Sequence, residues 1–345
     1  MAKTETTAGE ESEGWEIYRG DARPHDGLAR LPDPPPWRRF DAAGDTADGA
    51  ARLPGGGLER ALAYRPKPNV VTMVNVALRL RRPLLVTGKP GTGKSTLAYN
   101  VAHELGLGPV LDWPITSRVT LQEGLYRYDA IGRLHETSLR RAVAPGADTE
   151  APDIGRYIRL GPLGTALLPQ PRPRVLLIDE LDKSDIDLPN DLLNVFEEGG
   201  FTIPELERLP EDQPVVHVMP AKGPDRVPVG RGRVQCTAFP LVVITSNGER
   251  EFPPAFLRRC VRLVIEPPSP EELAEIVEAH LGPAASAASA DLIREFLDRR
   301  EQGDLATDQL LNAVYLSTTG SRPSEATLQD MVRAILRPLG AAGPG

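Results

Sequence analysis

Two cysteines and five histidines are the only thiol and imidazole metal ligands in 345 residues. Cys236 and Cys260 lie far apart without a Cys-x-x-Cys spacing, so neither a disulfide framework nor a zinc site is indicated, and both thiols are expected to be reduced. His25, His103, His135, His217 and His280 are scattered singly and are expected to be ordinary surface or hydrogen-bonded histidines. Basic charge is short as well. The 40 Lys and Arg face 48 Asp and Glu, and the formal net charge of −8 argues against a protein whose main task is gripping a phosphate backbone. No apolar run approaches the roughly 18 residues needed to span a bilayer. Residues 1–14 are polar and acidic with no apolar h-region, so a cytoplasmic location without membrane insertion is expected. There is no internal repeat, no heptad array and no Asn-Lys-x-Asp guanine-reading motif.

What is present begins with Gly88-Lys89-Pro90-Gly91-Thr92-Gly93-Lys94-Ser95, set between the apolar run Leu84-Leu85-Val86 and a helical segment that Thr96 opens. That strand–loop–helix context makes the segment a P-loop. Its glycines let successive N–H groups turn inward around phosphate oxygens, and the following helix adds its positive N-terminal end. Lys94 is expected to neutralise the β- and γ-phosphates. Ser95 is expected to offer its hydroxyl to Mg²⁺, which prefers an octahedral shell of few protein ligands, phosphate oxygens and water.

A second constellation follows at Val175-Leu176-Leu177-Ile178-Asp179-Glu180, where two carboxylates end an apolar strand and face the crevice that holds ligands in open α/β sheets. With a P-loop upstream this is a Walker B pattern. Asp179 is the expected Mg²⁺ ligand and Glu180 the group that polarises the attacking water. A third apolar run, Leu241-Val242-Val243-Ile244-Thr245-Ser246, ends at Asn247, which is placed to hydrogen-bond both γ-phosphate and water. Beyond it, Phe252 to Cys260 forms a proline-started helical turn delivering Arg258 and Arg259 just before the next strand.

The organisation around these motifs is α/β. Apolar runs at Leu84–Thr87, Val110–Trp113, Val175–Ile178, Leu241–Thr245 and Val261–Ile265 have the length and branched character of five buried parallel strands. After Pro267-Pro268 the segments Pro270–Leu281, Ser289–Arg299, Asp304–Leu316 and Ser324–Leu336 carry apolar residues at helical spacing, which predicts a separate all-α unit. The expected division is a disordered stretch at 1–14, a Pro-rich strap and linker at 15–61, an α/β nucleotide-binding domain at 62–266, a small helical domain at 267–340 and a disordered tail at 341–345. Trp15, Ile17, Tyr18, Trp37 and Phe40 are the strap's apolar anchors, and residues 41–57 read as a mobile link. Two long intervals, 114–164 and 199–240, exceed a minimal fold. The patches Val215–Met219 and Arg233–Cys236 are candidates to pair as a hairpin, and Tyr126-Arg127-Tyr128 reads as packing rather than as a nucleic-acid stacking patch.

These pieces, in this order, resemble the AAA+ ATPases and, within them, the MoxR-like branch, over roughly residues 62–340. The resemblance implies a P-loop domain with a helical lid, Asn247 as sensor 1, Arg259 as an arginine finger reaching a neighbouring subunit's nucleotide with Arg258 as companion, and Arg322 in Gly320-Ser321-Arg322-Pro323 as sensor 2. It also implies ATP as substrate with Mg²⁺, a homo-oligomer in the form of a hexameric ring, and insertions facing a pore or partner. A protein partner bearing a von Willebrand factor A domain, in a bacterial conflict or signalling system, is the partner class the resemblance suggests. Two departures stand out: the loop after Asn247 is short, and sensor 2 is not alanine-rich. A nucleic-acid-dependent motor and a slow-hydrolysing, ATP-operated switch or scaffold are the competing readings.

Overall fold

The computed structural model describes residues 15–40, 55–143, 152–210, 212–301, 303, 305–318 and 325–336. The expectations for 1–14, for most of the link at 41–57, for the tail at 341–345 and for Arg322 lie outside the described residues. Strands are numbered along the chain as β1 (Leu84–Thr87), β2 (Leu111–Pro114), β3 (Tyr126–Tyr128), β4 (Ile158–Leu160), β5 (Val175–Asp179), β6 (Gly200–Thr202), β7 (Val215–Val218), β8 (Val227–Gly230), β9 (Arg233–Gln235), β10 (Leu241–Ser246) and β11 (Val261–Val264).

All five expected strands form, and they make one parallel sheet in the order β11-β1-β10-β5-β2. The reason is burial on both faces. Alternation along each strand sends Leu84, Val86, Val175, Leu177, Leu241 and Val243 to one side, where the helices Pro68–Leu80 and Lys94–Glu104 supply Val70, Val74, Leu97 and Val101. Leu85, Leu176, Ile178, Val242 and Ile244 go to the other, against Leu188, Leu192 and Phe196 of the helix Leu188–Glu198. Parallel register brings Thr87 beside Ser246 at the sheet's carboxyl end, and Asp179 ends the neighbouring β5.

The C-terminal segments form the helices Pro270–Leu281, Pro283–Ala288, Ala290–Arg300, Thr307–Thr318 and Glu325–Ile335. Leu273, Val277, Phe296, Leu310 and Val314 give them a core of their own. A capping box starts the first helix: Ser269 accepts from the Glu272 N–H while the Glu272 carboxylate accepts from the Ser269 N–H. The short helix Pro283–Ala288 has an alanine- and serine-rich sequence without apolar periodicity, which left it invisible to pattern reading.

The two long intervals are ordered differently from the simple hairpin expected. Val215–Val218 and Arg233–Gln235 do not pair with each other; β8 lies between them in a four-stranded sheet ordered β6-β9-β8-β7. Proline at 228 hid β8 from the sequence, yet it is tolerated because β8 meets β9 only at Gly230–Arg233. Tyr126 is buried, stacks on Phe201 at 6.3 Å and donates its hydroxyl to Glu205 at 2.8 Å, so the Tyr-Arg-Tyr patch is packing. The helix Ala130–Val143 is mounted with its polar side inward. Glu136 bonds Tyr157 and Arg156 from the domain, while Ile131, Leu134, Leu139 and Val143 are exposed.

The strap lies on the α/β domain through polar contacts as much as apolar ones. Ile17 and Tyr18 are buried; both their N–H groups donate to Asn75 Oδ1, at 2.7 and 2.9 Å, and the Tyr18 hydroxyl donates to Asn100 Oδ1. The fully buried carboxylate of Glu104 accepts from the N–H groups of Arg19, Gly20 and Ala22 and lies 3.1 Å from His25 Nε2. Farther along, the expected anchor Trp37 faces solvent at 71 % exposure and its neighbour Arg38 is buried instead. Arg38 donates Nε and Nη2 to the Arg81 carbonyl at 3.0 and 2.6 Å and Nη1 to that of Phe196 at 2.7 Å, so its cation sits where two helices end.

Candidate functional site

The loop from Gly88 to Ser95 leaves the end of β1 and turns into the helix Lys94–Glu104. Gly93 holds the left-handed conformation, φ 81°, as that helix's N-cap. Gly91 has φ 73°, and a Cβ there would stand 2.6 Å from Ala306 and from the backbone nitrogen of Thr307. Only glycine meets both demands, and the contact shows the C-terminal helices lying directly on the loop. Thr92 Oγ1 donates to the Lys89 carbonyl at 2.9 Å, tightening the turn across Pro90. Lys94 is buried, its ammonium donating to the Gly88 and Lys89 carbonyls at 2.8 and 2.7 Å. Burial lowers its pKa from the usual lysine range, with Asp182, Asp179 and Glu180 pulling the other way.

At the strand ends the carboxylates are held by partners from β10 and from the loop. Asp179 Oδ1 accepts from Ser95 Oγ and from Thr245 Oγ1, each at 2.6 Å, and Thr245 in turn accepts the Glu180 N–H at 2.8 Å. Glu180 adopts φ 61°, ψ 50°, a left-handed conformation that is uncommon outside glycine and that lifts its side chain off the strand direction. Its Oε1 accepts from Asn247 Nδ2 at 3.2 Å and its Oε2 lies 2.6 Å from Lys183 Nζ. Asp182 is buried and accepts the N–H groups of Asn247 and Glu249 at 2.9 and 3.1 Å, which fixes the turn after β10; its Oδ1 has no hydrogen-bond partner among the described residues.

Around these groups opens a cleft of about 810 Å³. It is lined by the P-loop from Pro90 to Thr96 with Asp179, Glu180, Thr245 and Asn247, and by the apolar groups of Tyr64, Pro66, Val70, Ile265, Ile276 and Leu311. The P-loop side is thus polar, and apolar side chains are available elsewhere in the lining beside charged ones such as Arg60, Glu275 and Asp308, a mixture that suits a nucleotide. Lys67 Nζ and Glu272 Oε1 form an ion pair at 3.0 Å that spans from the α/β domain to the first C-terminal helix at the rim of the cleft.

The structure therefore brings Gly88 to Thr96, Asp179, Glu180 and Asn247 together, and leaves Arg258 and Arg259 off the cleft. Arg258 is exposed. Arg259 donates Nε to Glu197 Oε1 at 2.6 Å. Thr245, Asp182 and the Lys67–Glu272 pair escaped the sequence reading. Thr245 carried the one available signal, a polar residue near the end of an otherwise apolar strand.

A parallel sheet with a P-loop after one strand, and paired carboxylates and an amide at the ends of two others, defines a P-loop nucleotide-binding protein. The family described as AAA domain (dynein-related subfamily) matches residues 83–260, more than half of the chain, and the chain belongs to that family. An AAA domain implies nucleotide binding, commonly with Mg²⁺, and commonly oligomerisation. No curated protein matches the chain. Among the described residues, no helix is long and apolar enough to cross a membrane.

Proposed function

We propose that the chain is a MoxR-like AAA+ ATPase that hydrolyses ATP with Mg²⁺ in a homo-oligomeric, hexameric ring and uses the cycle to remodel a protein partner. The observation that carries the hydrolytic part is the continuous chain of contacts Ser95–Asp179–Thr245–Glu180–Asn247 at the mouth of the P-loop. The oxygen set of Ser95 and Asp179 suits a hard divalent cation, and these two residues would hold Mg²⁺, which when bound neutralises phosphate charge. Lys94 exchanges its two loop carbonyls for the β- and γ-phosphate oxygens. Glu180 takes the proton of the attacking water, with Asn247 fixing the carboxylate's orientation. Arg259 of one subunit supplies positive charge to a neighbour's γ-phosphate, with Arg258 beside it. The C-terminal helices serve as the lid, their contact on Gly91 and the Lys67–Glu272 pair coupling the nucleotide to lid position. Residue 322 is kept as a sensor 2 proposal on sequence alone.

The partner-facing role is supported by the helix Ala130–Val143, whose apolar residues are turned to solvent within one of the two insertions. A protein with a von Willebrand factor A domain is the proposed class of partner. Capture from native lysate on the ATP-loaded Glu180→Gln form is expected to retain such a protein; recovery of unrelated proteins alone counts against it. The hydrolytic reading is tested by phosphate release: turnover that needs Mg²⁺, Lys94 and Glu180 is expected, and release unaffected by Glu180→Gln contradicts it.

One contact favours the slow switch as a second reading. The 2.6 Å Lys183–Glu180 pair ties up Oε2 of the base carboxylate, a contact that must be released before that oxygen can meet the attacking water. Lys183→Ala distinguishes the two: a faster enzyme indicates a restrained switch, an unchanged rate a constitutive motor.

A further inference from the structure

Glu197, in the last turn of the helix Leu188–Glu198, stands between two guanidinium groups that come from distant parts of the chain. Its Oε1 lies 2.6 Å from Arg259 Nε, and its Oε2 lies 3.8 Å from Nη1 of the buried strap residue Arg38. Arg38 itself is held, because each of its three guanidinium nitrogens donates to the Arg81 or Phe196 carbonyl and its Cζ lies 4.5 Å from the centroid of the Phe239 ring. A carboxylate held beside a fixed cation is itself held.

The consequence falls on Arg259. A half-exposed arginine ordinarily samples many rotamers, with roughly 2 kcal/mol of rotamer entropy to lose on ordering. Here Nε is fixed by Glu197 and Nη1 reaches the Ala255 carbonyl at 3.3 Å, which leaves Nη2 without a hydrogen bond among the described residues. Arg258, one residue earlier, is exposed and its side chain makes no ion pair among the described residues. The two adjacent arginines therefore differ: one is preset with an edge outward, the other is loose.

We propose that Glu197 is a positioning residue that presets the Arg259 guanidinium for a neighbouring chain's nucleotide, and that Arg38, through the strap, fixes Glu197. This rests on the reading of Arg259 as the residue acting in trans, and adds what aims it. Because presetting removes a search from each cycle, its loss lowers turnover without changing ATP affinity or assembly; misplacement by about 1 Å costs on the order of 10²-fold in rate.

The test mixes two variants with complementary defects. Arg259→Ala keeps its own base but donates no arginine; Glu180→Gln lacks the base but donates Arg259. Mixed assemblies are expected to recover ATP turnover at interfaces where the second donates to the first. With Glu180→Gln/Glu197→Ala as donor, recovery is expected to fall at least about tenfold, while sedimentation and nucleotide affinity stay those of the parent donor. A Glu197→Gln donor, whose amide oxygen still accepts the N–H, should recover an intermediate rate, and Arg38→Lys in the donor should lower recovery by a smaller factor, its fold checked by thermal unfolding. Recovery by the Glu197→Ala donor equal to or above that of the parent donor overturns the proposal. Absence of recovery with the parent donor overturns the trans reading of Arg259, and the positioning role with it.

Discussion

Asn247 Nδ2 donates to Glu180 Oε1 at 3.2 Å, so the amide that ends β10 orients the carboxylate that follows β5 across 67 residues of sequence. The left-handed backbone of Glu180 and the Thr245 hydroxyl on its N–H complete the placement. Glu180→Gln is expected to keep ATP binding and lose turnover by about 10²–10⁴-fold, the range for a positioned general base. Asn247→Ala should lose less rate, with binding retained. Single-turnover phosphate release at saturating ATP checks both.

Thr245 is buried and serves two carboxylate residues at once, donating to Asp179 and accepting from the Glu180 N–H. Thr245→Val keeps the shape and removes both contacts. A stability loss of about 1–3 kcal/mol in denaturant unfolding is expected, from the stranded backbone donor. A rise in the Mg²⁺ concentration needed for half-maximal turnover should accompany it, since Asp179 is then held by Ser95 alone.

The sheet and its mouth were legible in the sequence because each depends on local pattern. Branched apolar runs marked all five parallel strands, and the P-loop and the Asp179-Glu180 pair fall at strand ends by local pattern alone. What was not legible depends on contacts between distant residues. Nothing local separates Trp37 from Arg38, yet the arginine is buried because two helix ends present carbonyls to it. β8 was hidden by Pro228 and Gly230, and nothing near Asp182 in the sequence marks the donors that the turn after β10 supplies to it.

The strap is fastened by Glu104, whose carboxylate receives three backbone N–H groups and faces His25. Gly27 N–H donates to His25 Nδ1 at 2.9 Å, which makes Nε2 the protonated nitrogen toward Glu104 in the neutral ring. Glu104→Ala strands those donors and is expected to cost roughly 3 kcal/mol or more. Limited proteolysis should then cut the strap near residues 19–30 at a protease level that leaves the parent chain intact.

Burial pushes the Cys236 and Cys260 thiols up to about 12 from an ordinary value near 9.0. The folded chain therefore keeps these protons to higher pH than the unfolded chain, so stability is fully present below about pH 9 and falls as pH rises above it. Arg81, lowered to about 10 by burial, acts in the opposite sense, gaining stability as pH passes upward through that value. The thiol contribution over pH 9 to 10, below the Arg81 value, is therefore read as the difference between the parent chain and the thiol-free variant, because buried Lys94, also lowered, acts with Arg81. The parent's melting temperature should fall across that range relative to that of Cys236→Ala/Cys260→Ala. Iodoacetamide at pH 8 should label neither thiol until the chain unfolds.

Whether hydrolysis is shared between subunits is read from ATP turnover per subunit measured against protein concentration, with sedimentation at the same concentrations. A cooperative rise in specific activity that tracks assembly and disappears in Arg259→Ala is expected. Constant specific activity, carried by a monomer at every concentration, would contradict shared hydrolysis and leave Arg259 a residue that merely ties its helical turn to Glu197.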